Sequence, residues 1–286
     1  MNDYKAWGDI EIICDLLNIT ATDFADQIGV TPDTVTRWKN GKNEISRENL
    51  NKVYNFAFDE GIRLNKIKEQ LFKEDCKDAN RIILFHGAKS SLDGAISIEK
   101  SRGTNDFGRG FYCGESLEQS AMFVSGYPES SLYIVEFDQS NLKETRYNVD
   151  REWMLTIAYY RGRLNEYADH PMIQKLLKKT EGADYIVAPI ADNRMFEIID
   201  SFIDGEITDV QCQHCLSATN LGDQYVFKTQ KAIDQLTIKC HCFLSEKEKQ
   251  YYLTSKQEES KIGNDKVKIA RKQYRGQGKY IEEILK

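Results

Sequence analysis

Apolar residues recur at helical spacing through the first 75 residues, in segments divided by short polar turns. One apolar stripe consists of Ile10, Ile13, Leu16 and Leu17. A later helix is predicted from Pro32 to Asn40, because Thr31 suits an N-cap, proline suits the first turn and Gly41 suits the end of a helix. A charged helix follows at 60–75. The pattern predicts an all-helical domain over residues 1–75, joined to the rest by a linker at 74–78.

Beyond residue 79 the pattern changes to short apolar runs typical of strands, with amphipathic segments between them. The predicted strands are 81–85, 111–113, 132–137, 184–190 and 223–229. The predicted helices are 115–123, 153–160, 171–179 and 195–204. This alternation predicts an α+β domain over residues 79–245. Residues 246–286 are rich in Lys, Glu, Gln and Ser, which predicts a tail that is helical or partly disordered, with Ile281 and Leu285 as docking points.

Composition narrows the class of protein. A chain of 286 residues with 41% hydrophobic content is long enough for one or two domains with real cores. The mean hydropathy of −0.57 and the lack of any long apolar run argue against a membrane span. The first residues, MNDYKAWGDIEII, contain neither a basic segment nor an apolar one of the kind found in secretion signals. The expected location is the cytoplasm.

The seven cysteines are odd in number and scattered, which favours a reduced compartment over a disulfide framework. They cluster only at Cys212, His214 and Cys215 and again at Cys240, His241 and Cys242. These side chains are either zinc ligands or ordinary, partly buried residues beside apolar segments. The second group has an unusual spacing for zinc, so we predict no metal.

The formal charge of −6 is unevenly distributed. Residues 1–75 have ten basic and fourteen acidic side chains, and residues 76–245 have eighteen and twenty-four. Residues 246–286 have eleven basic and seven acidic side chains. Only the tail is basic, so it is expected either to cover the acidic body, to bind nucleic acid or a partner, or simply to be solvated.

The segment FADQIGVTPDTVTRWKNGK, from Phe24 to Lys42, resembles the helix-turn-helix of phage-repressor-type DNA-binding domains. By this resemblance the helix from Pro32 to Asn40 is the recognition helix, with Val35 and Trp38 packed inward. The side chains implied to face a DNA operator are Thr34, Thr36, Arg37, Lys39 and Lys42, with Arg47 close by. Because the domain is acidic overall, docking of a protein or dimerisation is the alternative to DNA binding.

A glycine-rich turn lies at the centre of the chain. Asp106, Gly108 and Gly110 permit a tight turn, and Tyr112 follows on a short strand. Ser116 suits the cap of the next helix. Taken alone, these glycines form either a wall of a binding pocket or an ordinary surface turn, because they lack the spacing of a dinucleotide fingerprint.

Two motifs together, ILFHG at 83–87 and DFGRGFY at 106–112, resemble the ADP-ribosyltransferases of the diphtheria-toxin and poly(ADP-ribose)-polymerase type. Ser120 and Phe123 also fall at that family's offsets. The resemblance implies a split β-sheet that binds NAD without a metal. It implies that His86 holds the adenine-side ribose and that Gly87 and Ser120 bind the nicotinamide amide. Tyr112 and Phe123 would enclose the nicotinamide ring, and Asp106 and Arg109 are expected beside the dinucleotide.

The family's catalytic glutamate is replaced here by Gln224, at the start of the predicted strand 223–229. Glutamine keeps a hydrogen bond to the ribose but lacks the charge that stabilises an oxocarbenium-like transition state. The implied catalytic set is therefore Gln224, His86 and Tyr112, whose side chains are expected to converge on one dinucleotide-sized cleft. Glu206 is either a substitute acid or a mere solvated carboxylate.

Three activities remain open. The first is transfer of single ADP-ribose units from NAD to a macromolecular acceptor, protein or nucleic acid. This would suit a bacterial toxin or defence effector whose helix-turn-helix domain regulates expression or receives an antitoxin or dimer partner. The second is a transcriptional regulator whose catalytically weak domain senses NAD. The third is an NAD glycohydrolase, in which water is the acceptor.

Overall fold

The computed structural model describes residues 6–42, 44–218 and 222–286. The first five residues of the predicted N-terminal domain, with part of the segment inspected for a secretion signal, lie outside the described residues. Five helices form the N-terminal part: α1 Ala6–Leu17, α2 Ala21–Ile28, α3 Pro32–Lys39, α4 Arg47–Asp59 and α5 Leu64–Asp75. Their shared core contains fully buried Ile10, Phe24 and Val53.

Local sequence explains where α2 and α3 begin and end. Thr20 and Asp23 form a reciprocal capping box at the start of α2, and Gly29 ends that helix with a φ of +68°. Thr31 caps α3 by accepting a bond from the Thr34 amide, with Pro32 in the first turn. The helix pair predicted from these residues is confirmed.

A seven-stranded sheet forms the second part, in the order β4-β5-β6-β2-β1-β3-β7. The strands are β1 Arg81–Ala88, β2 Phe111–Gly114, β3 Ser131–Asp138, β4 Glu144–Arg146, β5 Tyr185–Pro189, β6 Asp223–Phe227 and β7 Leu236–Cys242. All neighbours are antiparallel except β4 and β5, which are parallel. Together with the helices that cover it, this sheet confirms the α+β prediction.

Helices cover the sheet and complete its cores. They are α6 Leu117–Val124, α7 Arg151–Tyr160, α8 Pro171–Glu181, α9 Asn193–Ile203, α10 Asp209–Ser217 and α11 Gln230–Ile233. The largest core lies among α7–α10 and includes the fully buried Trp153 and Phe202. Short 3₁₀ turns occur at Ile98–Lys100 and Asn165–Tyr167.

The tail is helical and packs on both preceding parts. Helix α12 spans Glu246–Gln273, and α13 spans Ile281–Ile284. Near the start of α12, both carboxylate oxygens of Glu248 accept bonds from Asn65 of α5 at 3.1 Å. Further along, Ala270 is buried in the α7–α10 core, as are Ile281 and Leu285 of the final segment. The predicted docking points are therefore confirmed.

Some expectations for single elements were wrong. Leu16 is 57% exposed, because the buried stripe of α1 needs only Ile10 and Ile13. The charged helix begins at Leu64 rather than at residue 60, because Gly61 adopts a φ of +79° that interrupts helical geometry. Strands β4 and β7 and helix α10 were not predicted. Within the described residues, no helix is long and apolar enough to cross a bilayer.

Candidate functional site

The sheet is split between β1 and β2. A single residue pair, Phe85 and Gly114, joins these two central strands. By contrast, β1 and β3 pair along eight residues, from Arg81 opposite Asp138 to Ala88 opposite Ser131. Strands that pair at one point separate on either side of it, and we term the separation between the C-terminal half of β1 and the N-terminal half of β2 the cleft. A surface cavity lies on the other side of the Phe85–Gly114 pair, where Ile83 and Leu84 of β1 line it together with Glu115 and Tyr225. The predicted residues His86, Gly87 and Tyr112 flank this separation, and His86 bridges it.

Helix α6 packs directly on the split because two glycines remove side chains there. A Cβ atom on Gly87 would lie 2.7 Å from the Ser120 carbonyl oxygen and 2.8 Å from Val124. A Cβ atom on Gly114 would lie 2.9 Å from Ser120 Oγ. Ser120 Oγ donates to the Phe85 carbonyl at 3.2 Å, which leaves its lone pairs able to accept a bond. Gly87 and Ser120 are therefore adjacent, as the resemblance implied.

Tyr112 and Gln224 lie on the same face of the sheet. Gly114 pairs with Gln224, and Tyr112 pairs with Val226, so all four residues project to one side. The Tyr112 hydroxyl donates to the Gly108 carbonyl at 2.7 Å and accepts from the Phe107 amide at 3.2 Å. These bonds fix the ring against the glycine-rich turn. Burial raises the pKa of Tyr112 well above its usual value, so the phenol stays protonated.

His86 lies on the opposite face of the sheet, which corrects the expectation that all three catalytic side chains point to one side. Residues alternate along a strand, so His86 faces away from its neighbour Phe85, and its ring stacks on Phe111 at 4.2 Å. Its Nδ1 nevertheless crosses the split and donates to the Tyr112 carbonyl oxygen at 2.6 Å. Burial lowers the pKa of His86, which favours the neutral ring with Nε2 as the acceptor.

Gln224 is held by acceptors on both sides. Its Nε2 donates to Asp106 Oδ2 at 2.8 Å and to the Pro189 carbonyl at 3.1 Å. Asp106 is only 7% exposed, and its Oδ1 pairs with Arg161 at 2.5 Å. Both amide hydrogens of Gln224 are therefore used by the protein, and Oε1 is the atom it can offer a ligand. A glutamate at position 224 would place a carboxylate oxygen beside Asp106 and the Pro189 carbonyl, which both need a donor.

Asp106 thus supports Gln224 instead of lying open to the dinucleotide as expected. Arg161, which was not predicted, completes this network by donating to Asp106 and to the Ala191 carbonyl. It lies 55 positions beyond Asp106 along the chain, and no local pattern marks it. Lys228 was missed as well. Its Nζ donates to the Phe107 and Arg109 carbonyls at 2.6 Å each, so it fixes the glycine turn from β6.

The remaining predicted site residues are more exposed. Phe123 is 63% exposed on α6, three residues beyond Ser120. The guanidinium group of Arg109 pairs with Glu99 at 2.9 Å on the surface. Glu206 is also exposed and lies 3.9 Å from Arg271 of the tail. Glu206 belongs to that surface pair and Gln224 to a buried network, so Glu206 does not stand beside Gln224 as a substitute acid.

The cysteine and histidine groups lie in different places. Cys212 and Cys215 are on α10 in the α7–α10 core, whereas Cys242 on β7 packs with β1, β3 and α6. Among the residues that the structure describes, no three Cys, His, Asp or Glu side chains are arranged to hold a metal ion. The zinc alternative therefore has no geometric support in that part of the chain.

Helix α3 presents most of the predicted DNA-facing residues. Val35 and Trp38 are buried, while Thr36, Arg37, Lys39 and Lys42 are exposed. Thr34 is half-buried, and its hydroxyl bonds to that of Thr31 at 2.9 Å. Arg47 is not on this surface as expected. It pairs with Glu129 at 2.8 Å and so joins α4 to the loop after α6.

These elements define a two-part protein: a helix-turn-helix domain of the DNA-binding type is attached to an α+β domain with a split sheet. Residues 10–53 match the family described as helix-turn-helix. Residues 82–238, more than half of the chain, match the family described as protein of unknown function (DUF3990), and the chain belongs to that family. Comparison with curated proteins and with solved structures finds no match.

Proposed function

We propose that the split-sheet domain is a mono-ADP-ribosyltransferase that cleaves NAD and transfers one ADP-ribose unit to a macromolecular acceptor. The observation that carries this proposal is the single Phe85–Gly114 bridge, around which Gly87, Ser120 and Gln224 are gathered. These residues belong to three separate segments of the sequence. The proximity of these residues supports the proposal, while His86 points to the opposite face of the sheet from Tyr112 and Gln224.

The side chains suit NAD as a substrate. Ser120 Oγ can accept a bond from a carboxamide, and the exposed ring of Phe123 offers a face to a cationic pyridinium. Nε2 of the neutral His86 can accept a bond from a ribose hydroxyl on the other side of the split. His86 and Tyr112 would then contact a bent NAD molecule from different sides of the split.

Gln224 would position the ribose by accepting a bond from its 2′-hydroxyl at Oε1. When the glycosidic bond breaks, nicotinamide leaves with the bonding electrons, and an acceptor oxygen or nitrogen forms the new bond to C1′ and loses its proton. The Asp106 carboxylate, which is paired with Arg161, lies one hydrogen bond away from that amide. Asp106 therefore provides part of the electrostatic stabilisation that a glutamate at position 224 would supply directly.

The test is incubation of the full chain with NAD labelled in its adenylate half, in a cell extract. Label on macromolecules supports transfer, whereas free ADP-ribose alone would indicate a glycohydrolase. Gln224→Ala should lower turnover by at least about ten-fold, since it removes the ribose contact. Gln257→Ala, on the exposed face of α12, is the matched control. Unchanged turnover in Gln224→Ala would reject this assignment.

One observation favours a second function, that of a transcriptional regulator that senses NAD. The group at position 224 is a neutral amide whose donors are already used by the protein, so the cleft can bind a dinucleotide without cleaving it. The attached helix-turn-helix domain would then provide the output. NAD that binds but stays intact through a prolonged incubation would support this regulator over the transferase.

A further inference from the structure

The surface cavity beside the Phe85–Gly114 pair occupies a strand position that β2 does not reach. Its volume is about 320 Å³, which is within the range of ligand-binding pockets. Strand β2 ends at Gly114, and the next amide, that of Glu115, still bonds to the Asp223 carbonyl of β6 at 3.2 Å. Ser116 then caps α6, so the chain leaves the sheet before it passes the N-terminal half of β1. The space beside that half of β1 is the cavity.

The backbone of Ile83 faces this cavity. Just before β1, the Asn80 carbonyl accepts a bond from the Gln139 amide at 2.8 Å, so the even-numbered residues of β1 direct their N–H and C=O groups to β3. The odd-numbered residues direct theirs to the other side, where Phe85 meets Gly114 and Ile83 meets the cavity. Among the residues that the structure describes, neither polar backbone group of Ile83 has a partner on that side. Ile83 is only 7% exposed, so bulk solvent has little access to these two groups.

The unbalanced charge of the cavity is negative. Two cations line it, but Lys73 pairs with Glu69 at 2.6 Å. Arg81 pairs with three carboxylates, of which Glu136 is the nearest at 3.3 Å. Glu115 also lines the cavity and is exposed. In the described part of the chain it accepts a single backbone bond and forms no ion pair, so its charge is available to a ligand.

We propose that this cavity binds an extended segment of a partner protein, by strand addition to β1, and that the segment carries a lysine or arginine. Its backbone would donate to the Ile83 carbonyl and accept from the Ile83 amide, as a strand added to a sheet edge does. Its basic side chain would pair with Glu115 beside the ring of Tyr225, which also lines the cavity. An acidic side chain would meet no unpaired cation, because Lys73 and Arg81 already have carboxylate partners. This binding does not depend on the proposed transferase function.

The test uses fluorescein-labelled peptides and the full chain without NAD. The basic probe is Thr-Val-Thr-Arg-Thr-Val-Thr, and the acidic probe has Glu in place of Arg. Fluorescence anisotropy should show saturable binding of the basic probe, at least about five-fold tighter than that of the acidic probe. Two further basic probes carry N-methyl groups on alternate amides, in one phase or the other. Because an added strand directs only alternate amides to β1, one phase should weaken binding at least about five-fold and the other should not.

Variants of the chain then test the charge. Glu115→Gln keeps an oxygen for the Asp223 amide but removes the charge, so it should weaken binding of the basic probe about three-fold or more, and less at high salt. Glu166→Gln makes the same change at an exposed position outside the cavity and should bind this probe as the original chain does. Glu115→Lys should prefer the acidic probe. Equal affinities of Glu115→Gln and Glu166→Gln for the basic probe would overturn the proposal.

Hydrogen exchange measured by NMR reports on the strand edge itself. The basic probe should slow exchange of the Ile83 amide at least about ten-fold, whereas the Leu84 amide already bonds to β3 and should change little. Protection of Ile83 together with the difference between the two N-methylated probes supports strand addition. Lack of saturable binding up to about 1 mM, equal binding of the two N-methylated probes, or unaltered exchange at Ile83 would each overturn it. Displacement of the basic probe by NAD would assign the cavity to the dinucleotide and would overturn it as well.

Discussion

Glu248 gives a quantitative test of how the tail is attached. It lies in the first turn of α12, is 6% exposed, and receives two bonds from Asn65 of the helix-turn-helix domain. Burial raises its pKa from 4.5 to about 7, although the Asn65 bonds and Lys68 oppose this. The folded state therefore binds a proton at Glu248 more tightly than the unfolded state does. The stabilisation that this side chain provides is complete below pH 4.5 and is lost as the pH rises through 7. The difference between these pKa values corresponds to about 3 kcal/mol.

Glu248→Gln is neutral at every pH and can still accept the Asn65 bond. We expect it to match the original chain near pH 5 and to be more stable by up to about 3 kcal/mol at pH 8.5. Urea unfolding at intervals of pH provides the free energies. Glu246→Gln, an exposed carboxylate in the same helical turn, controls for the helix dipole. If the free energies of unfolding of Glu248→Gln and the original chain differ by the same amount at pH 5 and pH 8.5, the reasoning is refuted.

Three further predictions concern the cleft and the recognition helix. Gly87→Ala should destabilise the fold by about 1–3 kcal/mol in urea, since its Cβ would meet Ser120 and Val124, whereas Gly126→Ala, with open space, should not. Gln224→Glu should lower the free energy of unfolding by about 1–3 kcal/mol at pH 8, because a second carboxylate would face Asp106, and the difference should become smaller at acidic pH. An unfolding free energy equal to that of the original chain at pH 8 would contradict the network. Arg37→Ala should reduce the salt slope of duplex DNA binding by about one, unlike Lys52→Ala on α4, and an unchanged slope would remove Arg37 from the interface.

Local chemistry made much of the fold predictable. Thr31 and Pro32 mark the start of α3 and Ser116 marks the start of α6, because a capping side chain acts on backbone only two or three residues away. The motifs with His86 and Tyr112 likewise predicted two strands, which are β1 and β2. Strand β4 was missed because three residues are too few to show an alternating pattern.

The site was less predictable than the elements around it. The pairing of Arg161 with Asp106 and the shift of Arg47 towards Glu129 join residues 55 and 82 positions apart. Such contacts depend on how helices and strands pack, and a single sequence does not encode them as local signals. The face of the sheet to which His86 points depends on the pairing register of β1, β2 and β6. The sequence alone does not specify that register.

The position of α13 has a consequence for synthesis. Ile281, Ile284 and Leu285 leave the ribosome after the whole split sheet has been made, yet they belong to the core that supports α7 and α10. A nascent chain therefore cannot finish that core while these residues are still inside the exit tunnel. The helices around this core are therefore packed completely only after residues that follow the split sheet by about forty positions have emerged.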